Sequence, residues 1–349
     1  MDTKLNSLID KALSRRNFLA GAGSVAAVGL MAGCANDGVT NMSGGSSTGS
    51  YTDADVLNFA LNLEYLEAQF YLYAATGHGL ATTDTSIPSG YTGTYTMGTV
   101  TTNSSVAQVG GGITAAQQQI INEIAYEEQE HVRFLRAALG PAAVPMPNID
   151  LTFFAPLASL ASNGALTSFS PFASFDAFLV GAFIFEDVGV TAYAGAAPLI
   201  TAAGVASGYL TAAAGILAVE AYHAAYIRTA ITGRAIAAGS ATAYPYITYA
   251  NDVAALRATL TVGNSGAPGT GTGNTGAAGS STSVEVPLAL PTGLTTPSSI
   301  VAADSKTAIG FARSVNQVHH IVYGSATVGA KSGGFFPSGT NSIFSTTTA

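Results

Sequence analysis

Glu128-Gln-Glu-His131 and Glu220-Ala-Tyr-His223 repeat one pattern, Glu-x-x-His, and each lies inside an otherwise apolar stretch of helical periodicity. Residues three apart lie on the same face of an α-helix, so each segment directs a carboxylate and an imidazole the same way. A single pair of this kind on a helix is commonly incidental or exposed to solvent. Two pairs in similar apolar settings predict that both helices contribute to one buried site.

Two further apolar stretches each carry a carboxylate on the predicted inner face, Glu64 and Glu186. The chain order is therefore Glu, Glu-x-x-His, Glu, Glu-x-x-His, which is typical of a di-iron or di-manganese site in a four-helix bundle. Four carboxylates in an apolar core repel one another and are costly to bury without compensation. Two divalent cations would balance those four charges, and imidazole with carboxylate suits iron or manganese.

Each metal ion is predicted to take one histidine and one terminal glutamate, while Glu128 and Glu220 bridge the two ions. The predicted metal ligands are Glu64, Glu128, His131, Glu186, Glu220 and His223. Tyr71 and Tyr193 each follow a terminal glutamate by seven residues, and they are candidate catalytic residues that donate hydrogen bonds to the ligand carboxylates. Simple filling of the core explains these tyrosines equally well. The shared offsets indicate an internal repeat of one helix pair, which would place the metals on a pseudo-two-fold axis.

Two neighbouring glutamates are alternative ligands. Glu67 lies one turn beyond Glu64 and could replace it, and Glu127 could replace Glu128 if the helix were rotated. Other residues with metal-binding side chains are predicted to lie at the surface or in loops, outside the site: His78, Glu123, Glu130, His319 and His320.

The apolar periodicity predicts four helices, at about 52–75, 114–140, 174–196 and 208–232. Thr114-Ala-Ala-Gln117 has the pattern of a capping box, and Gly233 is expected to end the fourth helix. A long loop, with short strands near 91–100, follows the first helix. The connection 141–171 is long enough to cross the end of the bundle. The predicted fold is therefore all-α, a four-helix bundle with a long crossover.

The chain is predicted to divide into a bundle at 52–234 and an irregular C-terminal extension at 235–349. Residues 263–283 are rich in Gly, Ser, Thr and Ala and are predicted to form a low-complexity linker. A fifth helix is predicted within 300–323. We do not expect the function to lie in this extension.

The N-terminal residues 1–34 are predicted to be an export signal. Ser14-Arg-Arg-Asn-Phe-Leu19 is similar to the twin-arginine consensus, and Met31-Ala-Gly-Cys34 is similar to a bacterial lipobox. Residues 35–51 are predicted to form a flexible tether. These segments predict a protein of the periplasm or cell envelope, in which any membrane attachment would be through a lipid at Cys34; the alternative is a signal peptide that is cut elsewhere.

The composition narrows the classes of partner. The formal net charge is −8 and only 9% of the residues are charged, which disfavours nucleic-acid binding. Cys34 is the single cysteine, so no disulfide within the chain stabilises the fold. No apolar run beyond the signal is predicted to span a bilayer.

Residues 52–234 resemble the ferritin-like superfamily, and Leu57-Asn-Phe-Ala-Leu-Asn-Leu-Glu64-Tyr-Leu-Glu67 resembles its branch of exported bacterial proteins related to plant desiccation-related proteins. The six predicted ligands match the bacterioferritin-type site. The resemblance implies two Fe ions, or alternatively Mn, that react with dioxygen or hydrogen peroxide. The long loop and the extension would hinder a ferritin cage, although a smaller oligomer is compatible with them.

Three functions are consistent with the sequence. The first is a stress-protective oxidoreductase that oxidises Fe(II) or reduces dioxygen or peroxide in the envelope. The second is a non-catalytic envelope protein in which metal only stabilises the bundle. The third is dismutation of peroxide, as in a manganese catalase.

Overall fold

The computed structural model describes residues 51–110, 112–261, 284–290, 300–304 and 308–347. The predicted export signal, nearly all of the tether, and the linker at 263–283 lie outside these residues. Helices dominate the described part, which confirms the predicted all-α fold class. The strands found there are β1 (Val100–Thr101) and β2 (Ile149–Asp150), which form one short parallel pair.

Nine α-helices are present among the described residues. They are α1 (Asp53–Thr76), α2 (Thr82–Thr85), α3 (Ala115–Leu139), α4 (Phe154–Ala161), α5 (Phe175–Ala196), α6 (Ala202–Ala206), α7 (Tyr209–Ala238), α8 (Tyr246–Leu260) and α9 (Val315–Val322). The bundle consists of α1, α3, α5 and α7, in which α1 packs chiefly on α3 and α5 chiefly on α7. Helices α8 and α9, from the C-terminal extension, pack against α5.

Three of the four bundle helices begin at a side-chain cap. Thr52 and Thr114 form capping boxes at α1 and α3, and the Ser174 side chain accepts a hydrogen bond from the Ala177 backbone N–H at α5. These bonds satisfy N–H groups that have no partner within the helix. The starts of α1, α3 and α5 therefore lie within about one residue of the predicted starts.

The predicted end of the fourth helix is wrong. Helix α7 continues through Gly233 to Ala238 and ends at Gly239, whose φ of 85° is left-handed. Glycine in a helix costs only about 1 kcal/mol relative to alanine. The buried residues Ile231 and Ala235 lie on either side of Gly233 and anchor the following turn to the core.

The extension contains more structure near the bundle than predicted. Helix α8 was not predicted, although its buried residues Ile247, Ala250 and Val253 recur at helical spacing. The fifth helix predicted within 300–323 is present only as the short α9. The described residues of that range before α9, 300–304 and 308–314, are not helical.

The prediction that His319 and His320 lie at the surface is also wrong. Both side chains are fully buried, because they lie on α9 and its apolar residues pack into the core. The His319 Nε2 atom lies 3.1 Å from Thr340 Oγ1, and the His320 Nδ1 atom lies 2.6 Å from the Ser325 carbonyl. Burial lowers the pKa of His319 to about 4, so this imidazole is neutral at physiological pH.

Two described helical segments, 175–199 and 209–238, are long and apolar enough to cross a membrane by length and composition alone. The most apolar window of the first is 89% buried within the protein, as is usual for a core helix. The second is less buried, but it carries Glu220 and His223 on its inner face. Both helices belong to the bundle.

A buried ionic network, which we call the arginine network, joins the extension to the bundle. Asp187 on α5 pairs with Arg228 on α7 and Arg257 on α8, at 2.8 and 3.0 Å. Glu285 pairs with Arg257 at 2.8 Å and also with Arg313. All five side chains are at most 5% exposed. These arginines are therefore committed to Asp187 and Glu285 and do not neutralise the predicted metal ligands.

Candidate metal centre

The six predicted ligands lie together in the middle of the bundle. Glu64 comes from α1 and Glu186 from α5, whereas α3 and α7 each supply one Glu-x-x-His pair. All six residues are buried, and the four glutamates are at most 1% exposed. The helical spacing therefore points these side chains inward, as the sequence pattern indicates.

The ligand atoms form two groups. In the first group His131 Nδ1 lies 3.2 Å from Glu64 Oε2, 3.4 Å from Glu128 Oε2 and 3.6 Å from Glu220 Oε1. One ligand atom from each of these four residues lies within 4.8 Å of the others, a separation suited to a shared metal ion.

The second group contains His223, Glu128 and Glu186. The His223 Nδ1 atom lies 3.1 Å from Glu128 Oε1 and 3.4 Å from Glu186 Oε2. Glu128 belongs to both groups, one oxygen in each, as a bridging carboxylate requires. Glu220, the second predicted bridge, belongs to the first group only. Its Oε2 atom instead lies against the backbone of α5, at Gly189.

Eight oxygen and nitrogen atoms of these residues that could bind a metal ion are buried, yet none of them makes a hydrogen bond. They are Glu64 Oε2, both oxygens of Glu128, His131 Nδ1, Glu186 Oε2, both oxygens of Glu220, and His223 Nδ1. Seven of them lie 3.1–3.6 Å from another member of the set without forming a hydrogen bond. Buried polar atoms are nearly always hydrogen-bonded, so eight exceptions in one place are unusual. The set comprises one oxygen from each terminal glutamate, both from Glu128 and Glu220, and one nitrogen from each histidine. Two metal ions would satisfy a donor set of this kind.

The two candidate catalytic tyrosines cross between the helix pairs. Tyr71 on α1 donates a hydrogen bond to Glu186 Oε1 on α5, and Tyr193 on α5 donates one to Glu64 Oε1 on α1. Each bond holds one carboxylate oxygen and leaves Oε2 facing the centre. Burial raises the pKa of both hydroxyls well above the usual value, so they remain protonated donors.

Glu127 contacts a ligand from outside the centre. Its Oε2 atom lies 2.6 Å from His223 Nε2, and its side chain is about one-third exposed. A carboxylate on the outer nitrogen of a histidine fixes the tautomer that presents the other nitrogen to a metal. Glu127 therefore orients His223 from outside the centre. Glu128 points inward, so the alternative in which Glu127 replaces it as a ligand is not what the structure shows. The sequence offered no signal for this contact, which joins residues 96 apart on different helices.

Replacing Glu127 with alanine is expected to weaken the binding of one of the two metal ions by about 10–100-fold. His223 would keep its place but lose the group that orients it. Metal titration followed by calorimetry would measure the change. The matched control is Glu123→Ala, one turn earlier on the exposed face of α3. Equal metal binding by both variants would contradict the supporting role.

Glu67, the other alternative ligand, is buried beside the centre but belongs to neither group of ligand atoms. Glu64 holds the position that Glu67 was considered for. Burial and the neighbouring carboxylates, Glu128 first, raise the pKa of Glu67 well above its usual value.

The pKa values of the glutamates and histidines at the centre are shifted by burial and by one another. Burial raises the pKa of Glu64 to about 7. Burial alone would lower the histidine pKa values, but the adjacent glutamates raise the pKa of His131 to about 11 and that of His223 to about 12. Against the effect of burial, both imidazoles lower the pKa of Glu128. In the absence of metal, protonated histidines therefore serve as the counter-charges.

Metal binding near pH 8 is expected to release at least one proton per ion, because each imidazole must lose a proton to bind metal and burial raises the pKa of the predicted ligand Glu220 well above its usual value. Since the folded histidine pKa values are raised, metal affinity should increase with pH across the range 6–9. Calorimetric titration in two buffers of different protonation enthalpy would count the protons. A binding enthalpy that does not depend on the buffer would contradict this prediction.

Comparison with known proteins agrees with this geometry. The chain matches the family described as "ferritin-like domain" over residues 52–233, more than half of its length. It belongs to the ferritin-like family. The match covers the four-helix bundle and all six predicted ligands, and it ends within α7.

Two curated relatives are similar to this chain. The ferritin-like catalase Nec2 of Nesocodon mauritianus is 30% identical over 179 residues, which cover 50% of this chain and 52% of the relative. The desiccation-related protein PCC13-62 of Craterostigma plantagineum is 31% identical over 185 residues, which cover 53% and 54%. The chain thus spans about half the length of these relatives. No solved structure matches it significantly.

Proposed function

We propose that this protein is an exported dinuclear iron or manganese enzyme that consumes hydrogen peroxide or dioxygen, and that it protects the cell envelope from oxidative stress. The observation that carries this proposal is the set of eight buried glutamate and histidine atoms that converge in the bundle core without hydrogen bonds. A bundle stabilised only by packing has no use for four inward glutamates without cations. The ferritin-like family and the catalase relative support the same class of chemistry.

The side chains have separable tasks in this function. Two bound iron or manganese ions would exchange electrons with the oxidant. Tyr71 and Tyr193 hold the terminal glutamates so that each presents one oxygen. The group of ligand atoms around His223 comes from three residues, whereas the group around His131 comes from four. A metal ion in the His223 group would therefore have more room for a small exogenous molecule.

Dismutation of peroxide is the second candidate, favoured by the relative described as a ferritin-like catalase. In this reaction two molecules of hydrogen peroxide give two of water and one of dioxygen, so no external reductant is needed. The buried ligand set suits manganese as well as iron.

The test uses the full chain loaded separately with Fe(II) and with Mn(II). We expect about two ions per chain, and either peroxide-dependent Fe(II) oxidation by the iron form or dioxygen release from peroxide by the manganese form. Metal that raises the melting temperature without turnover in either assay would refute the proposal. That result would favour the non-catalytic envelope protein.

The cellular site remains a proposal, based on the twin-arginine-like segment and on Cys34. Fractionation of cells that produce the natural chain, followed by mass analysis of its N-terminus, would test it. Recovery of the full-length, unacylated chain in the cytoplasm would contradict both export and lipid attachment.

A further inference from the structure

A cavity lies between α1, α5 and the C-terminal extension, beside the metal centre. The space that a water-sized molecule can occupy in it is about 20 Å³, which is enough for one small molecule. Its walls include Val188 from α5 and Val322 and Phe335 from the extension. Among the described residues that line it, Glu67 is the single charged one, and the rest are apolar side chains and Gly189. The cavity is therefore an apolar chamber with one carboxylate in its wall.

Gly189 connects this cavity to the ligands. A Cβ atom at this position would lie 2.3 Å from Glu220 Oε2 and 3.5 Å from Glu67 Oε1. The missing side chain therefore allows the ligand Glu220 and the cavity residue Glu67 to approach the same point of α5. A small molecule in the cavity would be separated from a ligand oxygen only by the surface of this glycine.

Glu67 is 5% exposed, and its Oε1 atom lies beside Gly189 and not in either group of ligand atoms. In the internal repeat Glu64 corresponds to Glu186, so Glu67 corresponds to Gly189. A carboxyl group is thus present on one side of the pseudo-two-fold axis, whereas on the other side a glycine leaves room for Glu220. Burial of a carboxyl group is costly unless it is hydrogen-bonded, and a small molecule in the cavity could supply that hydrogen bond.

The chemistry of the cavity selects among possible occupants. Apolar walls disfavour hydrated ions of either sign. A carboxyl group, protonated or ionised, has an oxygen that accepts a hydrogen bond from an O–H group, which hydrogen peroxide has and dioxygen lacks. The hydrogen peroxide molecule is small enough for a space of this size, whereas the alkyl group of a branched alkyl hydroperoxide would collide with the walls.

We propose that this cavity is the chamber through which hydrogen peroxide reaches the metal centre, and that Glu67 holds the peroxide there by accepting a hydrogen bond from its O–H. This inference rests on the proposed function and specifies its substrate. It also gives the C-terminal extension a part in activity, because Val322 and Phe335 form the outer wall.

The first test narrows the cavity in the metal-loaded full chain. Val322→Phe is expected to raise the KM for hydrogen peroxide by about tenfold or more, with a smaller change in kcat. The matched control is Val253→Phe, which adds the same side chain to another cavity, lined by α4, α5 and α8. This control should change KM by less than about twofold. Equal kinetics for the two variants would overturn the proposal.

A second variant tests Glu67 without adding volume. Glu67→Leu removes the acceptor and should raise the peroxide KM by about tenfold while two ions remain bound. Glu67→Gln retains an acceptor oxygen and should recover most of the loss. Loss of bound metal in Glu67→Leu, with the KM unchanged, would mean that Glu67 only positions the ligands and would overturn its assignment.

Xenon provides a readout that does not depend on turnover, because it enters dry apolar cavities. Crystals under xenon pressure should show an atom near Val188 in the wild type and in Val253→Phe, but not in Val322→Phe. An inert wild-type protein with two ions bound would remove the proposed function and this assignment together. An active wild type that consumes tert-butyl hydroperoxide as fast as hydrogen peroxide would overturn this assignment alone.

Discussion

Glu128→Gln is expected to abolish binding of the metal pair. Glu128 contributes one oxygen to each group of ligands, so the substitution weakens both sites at once. Glutamine has nearly the same shape, but its neutral amide cannot present two charged oxygens to two cations. We expect more than about a 100-fold loss of affinity for each ion, larger than the effect of altering an outer residue such as Glu127.

Metal content measured by mass spectrometry, together with native mass spectrometry, would show the number of ions per chain. The matched control is Glu130→Gln, two residues later on the same helix, where the side chain pairs with Arg133 at the surface. The control should retain two ions. If Glu128→Gln also retained two ions at normal affinity, the shared carboxylate would not be a bridge and the dinuclear arrangement would be wrong.

Glu285→Gln is expected to lower the free energy of unfolding by about 3–5 kcal/mol. In the arginine network Glu285 pairs with both Arg257 and Arg313, and all three side chains are at most 5% exposed. Removing the carboxylate leaves two buried guanidinium groups with Asp187 as the remaining anion of the network. The destabilisation arises because these cations have already lost their hydration and cannot recover it without opening the interface.

Urea denaturation of the metal-free protein, monitored by circular dichroism, would measure this loss. Glu130→Gln is again the control, because its exposed pair with Arg133 should contribute at most about 1 kcal/mol. Limited proteolysis would show whether the extension detaches first. A stability change of Glu285→Gln no larger than that of the control would mean that the arginine network is not what joins the extension to the bundle.

The spacing of chemically unusual residues predicted which glutamates and histidines gather in the core of the bundle. Glu128 and His131 lie three residues apart in a helix with an apolar inner face, where a buried carboxylate is costly. The helix period therefore predicted that both side chains point in the same direction. The helix starts were equally predictable, since Thr52 and Thr114 satisfy backbone groups within three residues of themselves. These are local properties, and the sequence carries them directly.

The errors concern properties decided by distant contacts. The continuation of α7 past Gly233 depends on buried neighbours that outweigh a small local preference. His319 looked polar enough for the surface, yet its helix packs into the core. The sequence also could not show that Glu220 turns one oxygen towards Gly189, or that Glu127 reaches His223. Each of these contacts joins different helices, and periodicity within one helix has no information about them.

The crossed tyrosines have a consequence for how the protein acquires its ions. Tyr71 positions a glutamate that belongs to the other helix pair, and Tyr193 does the same in return. Each group of ligand atoms also takes members from both pairs. Neither pair alone supplies a complete group, so both groups are completed only when the two pairs have docked. Ions bound there would link the two pairs, and full loading would therefore follow assembly of the bundle.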